Sequence, residues 1–239
     1  MKRIDLKKNF DSGYFQIKNE SKDTAELTIF GTIADEKWWE EDVVPKDVKA
    51  LLDEAKDVKN LNIYINSGGG SVFAGMAIYN MLKRFSAKKT VYVEGLAASI
   101  ASIIAFCGDS LVIPKNAYLM VHKAWTIAAG NADEMLKTAE TLETIDAGML
   151  EVYKAHFRPG VQEDVFKAMV EAETWMTGEM AAEYFNIETS EPLTAVAYAG
   201  TLDYRNTPAS IRERMQNQDE KEQTKRALAR LELELESSF

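Results

Sequence analysis

The chain has a single cysteine among its 239 residues, so no internal disulfide can form. Cys107 lies in the apolar run Ile103-Ile104-Ala105-Phe106-Cys107, where a thiol behaves as a small hydrophobe, and a reducing, cytoplasmic setting is expected. Also missing is any apolar run long enough to span a bilayer, which takes roughly 20 residues. The longest candidate, residues 95–107, is rich in Ala and Ser and reads as a buried helix. The amino terminus, Met1-Lys2-Arg3-Ile4-Asp5-Leu6-Lys7-Lys8-Asn9-Phe10, is basic but is followed by polar residues, so no export signal is expected. Basic residues are in the minority: 28 Lys and Arg against 38 Asp and Glu leave a net charge of -10. Binding to nucleic acid or to an anionic membrane surface is therefore not expected, since both need clustered positive charge.

What is present is enough apolar material, 46% of residues, for one substantial core. Short β-branched runs at 25–30, 61–65 and 90–93 alternate with helical patterns at 45–56 and 72–85, the rhythm of stacked β-α units in an α/β fold. Two further strands are expected at 111–114 and 118–122. One long helix is expected over 131–157, stopped by Arg158-Pro159-Gly160. Its apolar residues Met135, Leu142, Ile145, Met149, Val152 and Tyr153 make one continuous face for core packing, part of it available as a subunit contact. From Asn206 the composition shifts to charged helix formers. The domain reading is an amino-terminal segment 1–23, a catalytic-size domain 24–200 and a helical tail 201–239.

Two junctions carry chemical potential. Asn66-Ser67-Gly68-Gly69-Gly70-Ser71 follows a strand and precedes a helix, so successive backbone N–H groups can face one concavity and hold an anion. It lacks the Lys-Ser/Thr ending of a P-loop, and taken alone it is a tight turn. Gly95-Leu96-Ala97-Ala98-Ser99-Ile100 presents a serine among small residues at a strand-to-helix junction, which allows a sharp turn beside the hydroxyl. The alternative is a serine used for close packing, and Ser102, one turn on, is the local rival. A serine mechanism needs a base, and the chain offers His122, His156 or a lysine. His122 ends a predicted strand and either caps the core or takes a proton. His156 falls in the last turn of the long helix, where the dipole favours a positive charge and a structural role is expected.

Taken together, residues 62–79, 95–100 and 118–122 resemble the Clp protease proteolytic subunit family, and three motifs in order are far more specific than any one. The similarity runs from about Leu27 to about Ile187. The resemblance implies a crotonase-like spiral of β-α units with a long handle-like helix, to which the charged helical tail is appended. It implies a serine endopeptidase with Ser99 as nucleophile and His122 as base. The oxyanion hole would be formed by the N–H groups of Gly70 and Ile100, each such donor worth about 3 kcal/mol in the transition state. The residue matching the family's aspartate is Glu173, whose extra methylene asks for a different backbone offset, and Glu171 is the alternative. Gly68 replaces the family's proline, which leaves the oxyanion loop less restricted. No metal or organic cofactor is implied.

Residues 172–177 look more like Clp-related proteases of phages and prophages, which typically serve head maturation. That branch implies polypeptide substrates among capsid or scaffold proteins, inside a bacterial host cell. The family implies rings, heptameric and often doubled. The amino-terminal region does not match the family's axial loop, so an ATP-driven unfoldase partner is not implied. Three rival readings stand beside this one: a crotonase-type acyl-thioester enzyme, an inactive ring-forming assembly module, and a serine-lysine mechanism using Lys123.

Overall fold

The computed structural model describes residues 15–19, 23–192, 204–209 and 211–212. The chain divides into two units, Met1–Gly200 and Thr201–Phe239. Among the described residues of the first, eight strands form one sheet in the order β1-β2-β3-β4-β5-β8, with β6 pairing with β4 and β7 with β6. The strands are β1 (Phe15–Asn19), β2 (Thr24–Ile33), β3 (Asn60–Gly70), β4 (Lys88–Ala98), β5 (Ser110–Pro114), β6 (Tyr118–Val121), β7 (Thr174–Thr177) and β8 (Glu188–Ser190). The helices are α1 (Pro45–Glu54), α2 (Val72–Arg84), α3 (Ile100–Ala105), α4 (Ala132–Lys154), α5 (Glu163–Glu171) and α6 (Gly178–Tyr184). Strands β2, β3, β4, β5 and β8 run parallel through helical crossovers, as the alternating patterns predict. The amino-terminal segment adds β1 as an antiparallel edge strand on β2.

The core forms because the apolar residues of β2 and β3 alternate: Leu27, Ile29 and Ile33 lie beside Leu61, Ile63 and Ile65, all buried. Each such burial contributes about 1.5–3 kcal/mol. On the other face Tyr64 stacks on Tyr92 and its hydroxyl donates to Glu26 Oε1 at 3.1 Å. Helix α3, Ile-Ala-Ser-Ile-Ile-Ala, is buried along its whole length. No described helix is long and apolar enough to cross a membrane.

Three expectations change. Residues 95–107 are not one helix: Leu96–Ala98 continue β4 because they pair with Tyr118–Met120 of β6, and helix begins only at Ile100. The Gly-rich stretch is not a separate turn but the end of β3, with Gly69 paired to Thr32 and Gly70 to Ile33. The apolar face of α4 is buried only at Met149, Val152 and Tyr153, so core packing accounts for its carboxyl-terminal part alone. The helix itself starts where expected, on a capping box in which Asn131 Oδ1 accepts from the Glu134 N–H and Glu134 Oε2 accepts from the Asn131 N–H.

Two register shifts lie near the carboxyl ends of the central strands. Between β3 and β4 the pairing steps from Ile65–Val93 to Ser67–Ala97, so β4 carries extra residues just before Ser99. Between β2 and β3 it steps from Phe30–Asn66 to Thr32–Gly69. Such bulges re-aim a strand and often sit beside functional sites. In the second unit the described residues include one helical turn, with the N–H groups of Ile211 and Arg212 donating to Pro208 O. Most of the expected tail, 201–239, lies outside the described residues.

Candidate active site

Ser99 stands between β4 and α3 with φ 55° and ψ -128°. A non-glycine residue in this region costs on the order of 1–3 kcal/mol and persists only where its surroundings hold it. Here the Ser99 N–H donates to Met120 O at 3.0 Å, and Ser99 O accepts the Ser102 N–H at 3.0 Å. The small neighbours are required: a Cβ on Gly69 would lie 2.7 Å from Ser99 Cβ and 2.8 Å from Ala98 O. Although Ser99 occupies the N-cap position of α3, its side chain makes no capping hydrogen bond. The hydroxyl is turned to His122 instead, with Oγ 2.7 Å from Nε2.

His122 follows β6 directly, so the parallel pairing of β4 with β6 brings the two side chains together at the ends of neighbouring strands. Burial holds the imidazole below its ordinary value of 6.5, against the raising pull of Glu173 and then Asp146. Glu173 directly precedes β7, which is antiparallel to β6 with Val121 opposite Thr174, and its charge acts on the His122 ring. Glu173 has φ 52° and lies between α5 and β7. Ser99 follows β4, His122 follows β6 and Glu173 precedes β7, while Gly70 ends β3 and Ile100 starts α3.

The family profile described as Clp protease matches residues 26–188. This chain is a member of the Clp protease family. It is 31% identical over 140 residues to an ATP-dependent Clp protease proteolytic subunit of Bacteroides fragilis, covering 57% of this chain and 66% of that protein. A protein of the same name from Bacteroides thetaiotaomicron is 29% identical over 140 residues, 57% of this chain and 62% of the relative. The chain spans just under two thirds of the length of the curated relatives it matches. The α/β architecture described above is accordingly the Clp protease fold.

Around this family frame the structure sorts the remaining candidates. Ser102 is wholly buried, donates its hydroxyl to Ser99 O at 2.5 Å and shares a 2.6 Å hydrogen bond with the Tyr153 hydroxyl, so it is not a rival nucleophile. His156 lies just past the end of α4, with its ring centroid 5.0 Å from that of Phe106. Burial and then Lys83 lower its pKa, against the positive charge expected there. Lys123 Nζ lies 3.7 Å from Asp146 Oδ2, an ion pair to α4. Glu171 ends α5, exposed, on the rim of a cavity of about 480 Å³ that also reaches His122, Met149, Leu150 and Val170.

Asp146 is the residue that reading the sequence misses. It accepts the Ala124 N–H at 2.7 Å through Oδ1, pins the backbone two residues past His122 and raises the His122 pKa. Its one sequence signal is an acid set against the apolar stripe of α4 beside Ile145 and Met149. Among the described residues no group of three or more His, Cys, Asp or Glu is arranged to hold a metal ion.

Proposed function

We propose that this chain is a serine endopeptidase that cleaves polypeptides through an acyl-enzyme, with Ser99 as nucleophile, His122 as general base and Glu173 orienting the imidazole. The observation that carries this reading is the 2.7 Å contact between Ser99 Oγ and His122 Nε2, made by a serine in a strained turn whose hydroxyl forgoes the helix cap. With the ring proton on Nδ1, Nε2 accepts the Ser99 proton as Oγ attacks the peptide carbonyl. The N–H groups of Gly70 and Ile100 receive the developing oxyanion. The imidazolium, stabilised by the Glu173 and Asp146 charges, passes its proton to the leaving amine. Water, deprotonated by His122, then releases the acyl group and restores Ser99. The lowered pKa keeps His122 neutral, hence ready as a base, at neutral pH. The cavity beside His122, lined by apolar Met149, Leu150 and Val170 and by charged residues such as Lys123 and Glu171, has room for a substrate side chain.

The biological setting proposed is processing of capsid or scaffold polypeptides by a phage or prophage enzyme in the bacterial cytoplasm, supported by the likeness of residues 172–177 to that branch. Assembly into a ring, heptameric or doubled, is proposed from family membership. The domain boundaries 1–23, 24–200 and 201–239 are proposed as the working division. The named relatives are subunits of ATP-dependent proteases, whereas no unfoldase partner is proposed for this chain.

The test is intact mass after treatment with a fluorophosphonate, with Ser99→Ala as control. One adduct on the wild-type protein and none on the variant is expected. No adduct on the wild type, together with binding of an acyl-coenzyme A, would turn the reading towards the acyl-thioester enzymes.

A further inference from the structure

Beneath the nucleophile runs a buried chain of hydroxyls. Ser102 Oγ donates to Ser99 O at 2.5 Å. A hydroxyl has one hydrogen, so the 2.6 Å bond between Ser102 Oγ and the Tyr153 hydroxyl must have Tyr153 as donor. The direction is therefore Tyr153 O–H to Ser102 Oγ–H to Ser99 O. Both hydroxyls are buried, where linked hydrogen bonds strengthen one another. The Tyr153 ring has little freedom to move its oxygen, being packed on Phe106, Phe166 and Phe185 with centroids 5.9, 5.2 and 6.1 Å away.

The carbonyl at the end of this chain belongs to the residue whose backbone is strained. Ser99 is tied on its φ side by its N–H to Met120 O. On its ψ side the carbonyl is tied twice by Ser102, once through the N–H and once through the hydroxyl. The Ser102 and Tyr153 hydroxyls are thus the side-chain part of what keeps the serine in its left-handed turn. The same helix reaches the other half of the pair, since Asp146 holds the Ala124 N–H just past His122. Helix α4 grips both strand ends that carry Ser99 and His122.

We propose that Ser102 and Tyr153 are positioning residues for the nucleophile, acting in series from α4 through Ser102 Oγ on the Ser99 carbonyl. The inference rests on the peptidase reading above and adds two residues to it.

The test is the second-order rate of Ser99 phosphonylation in wild type, Tyr153→Phe, Ser102→Ala and the double variant, with a peptide substrate to separate kcat from KM. Tyr153→Phe keeps the aromatic packing and removes one donor, so a fall of about fivefold in rate is expected, the worth of one net hydrogen bond. The fall should appear in kcat with KM unchanged. Ser102→Ala should cost at least as much, and the double variant no more than Ser102→Ala, because the links act in series. Thermal melts identify any variant that fails to fold, and if Ser102→Ala is lost, Tyr153→Phe decides alone. Rates equal to wild type, losses that only follow melting temperature, or additive losses would overturn the relay. A wild-type protein that takes no adduct would overturn the peptidase reading and the relay together.

Discussion

Ser99 Oγ and His122 Nε2 are 2.7 Å apart although 23 residues separate them in the chain. Neither helix nor turn makes this contact. It follows from β4 lying parallel to β6, so that both strands deliver a residue to the same edge. Replacing Ser99 by Ala should abolish fluorophosphonate labelling. His122→Ala should lower the peptidase rate by on the order of 10⁴-fold or more, since an uncharged serine hydroxyl is a poor nucleophile without its base. Rates measured on a quenched peptide library will check this, and a His122→Ala variant of near-normal rate would remove His122 from the mechanism.

The pH dependence follows from the direction of the His122 shift. The base works only when neutral, so the labelling rate should climb with pH and level off, with a midpoint below the ordinary 6.5 because burial opposes the charged ring. Glu173 and Asp146 both pull that midpoint upward. Glu173→Gln should therefore move it to still lower pH, and Asp146→Asn in the same direction. A midpoint above 6.5 in the wild type would contradict the burial argument.

Two glycines should respond to alanine in opposite ways. Gly69, at φ 96°, would bring a Cβ to 2.7 Å from Ser99 Cβ, so Gly69→Ala is expected to lose labelling and about 1–3 kcal/mol of stability. Gly148 lies in α4 with nothing within 4 Å of the added carbon, and Gly148→Ala should gain about 1 kcal/mol from helix propensity. Urea unfolding measures both, and equal shifts of one sign would reject the contrast.

Stability should fall on the acid side of neutrality. His122 and His156 are both lowered from 6.5 by burial, while in the unfolded chain they protonate near that value. As pH drops below about 6.5 the unfolded state binds more protons than the folded one, so folding weakens. Melting temperatures at pH 7.5 and 5.5 should show the drop, and His156→Gln, which cannot protonate, should make it shallower. A flat profile would mean that the rings charge as readily folded as unfolded.

Much of the fold was legible because it is local. The two-residue alternation in β2 and β3 and the helical pattern from Asn131 are short-range physics, and the structure follows them closely. The junction at Gly95 to Ile100 announced a sharp turn because only small residues allow one. The extent of β4 was not legible, since Leu96–Ala98 are extended only through pairing with β6. Nor was the rejection of Ser102, which depends on Tyr153 reaching it from 51 residues away.

By itself the sequence determined which serine could sit at a strand-to-helix turn, which histidine ended a strand, and the order of the β-α units. It did so because propensity, periodicity and steric size act between near neighbours. Only the tertiary structure decided that Ser99 takes φ 55°, that the charge of Glu173 is felt at His122, and that α4 presents Asp146 and Tyr153 to Ala124 and Ser102. Those relations depend on how strands pair and how a helix packs across the sheet, and the free energy that selects them comes from burying distant residues together.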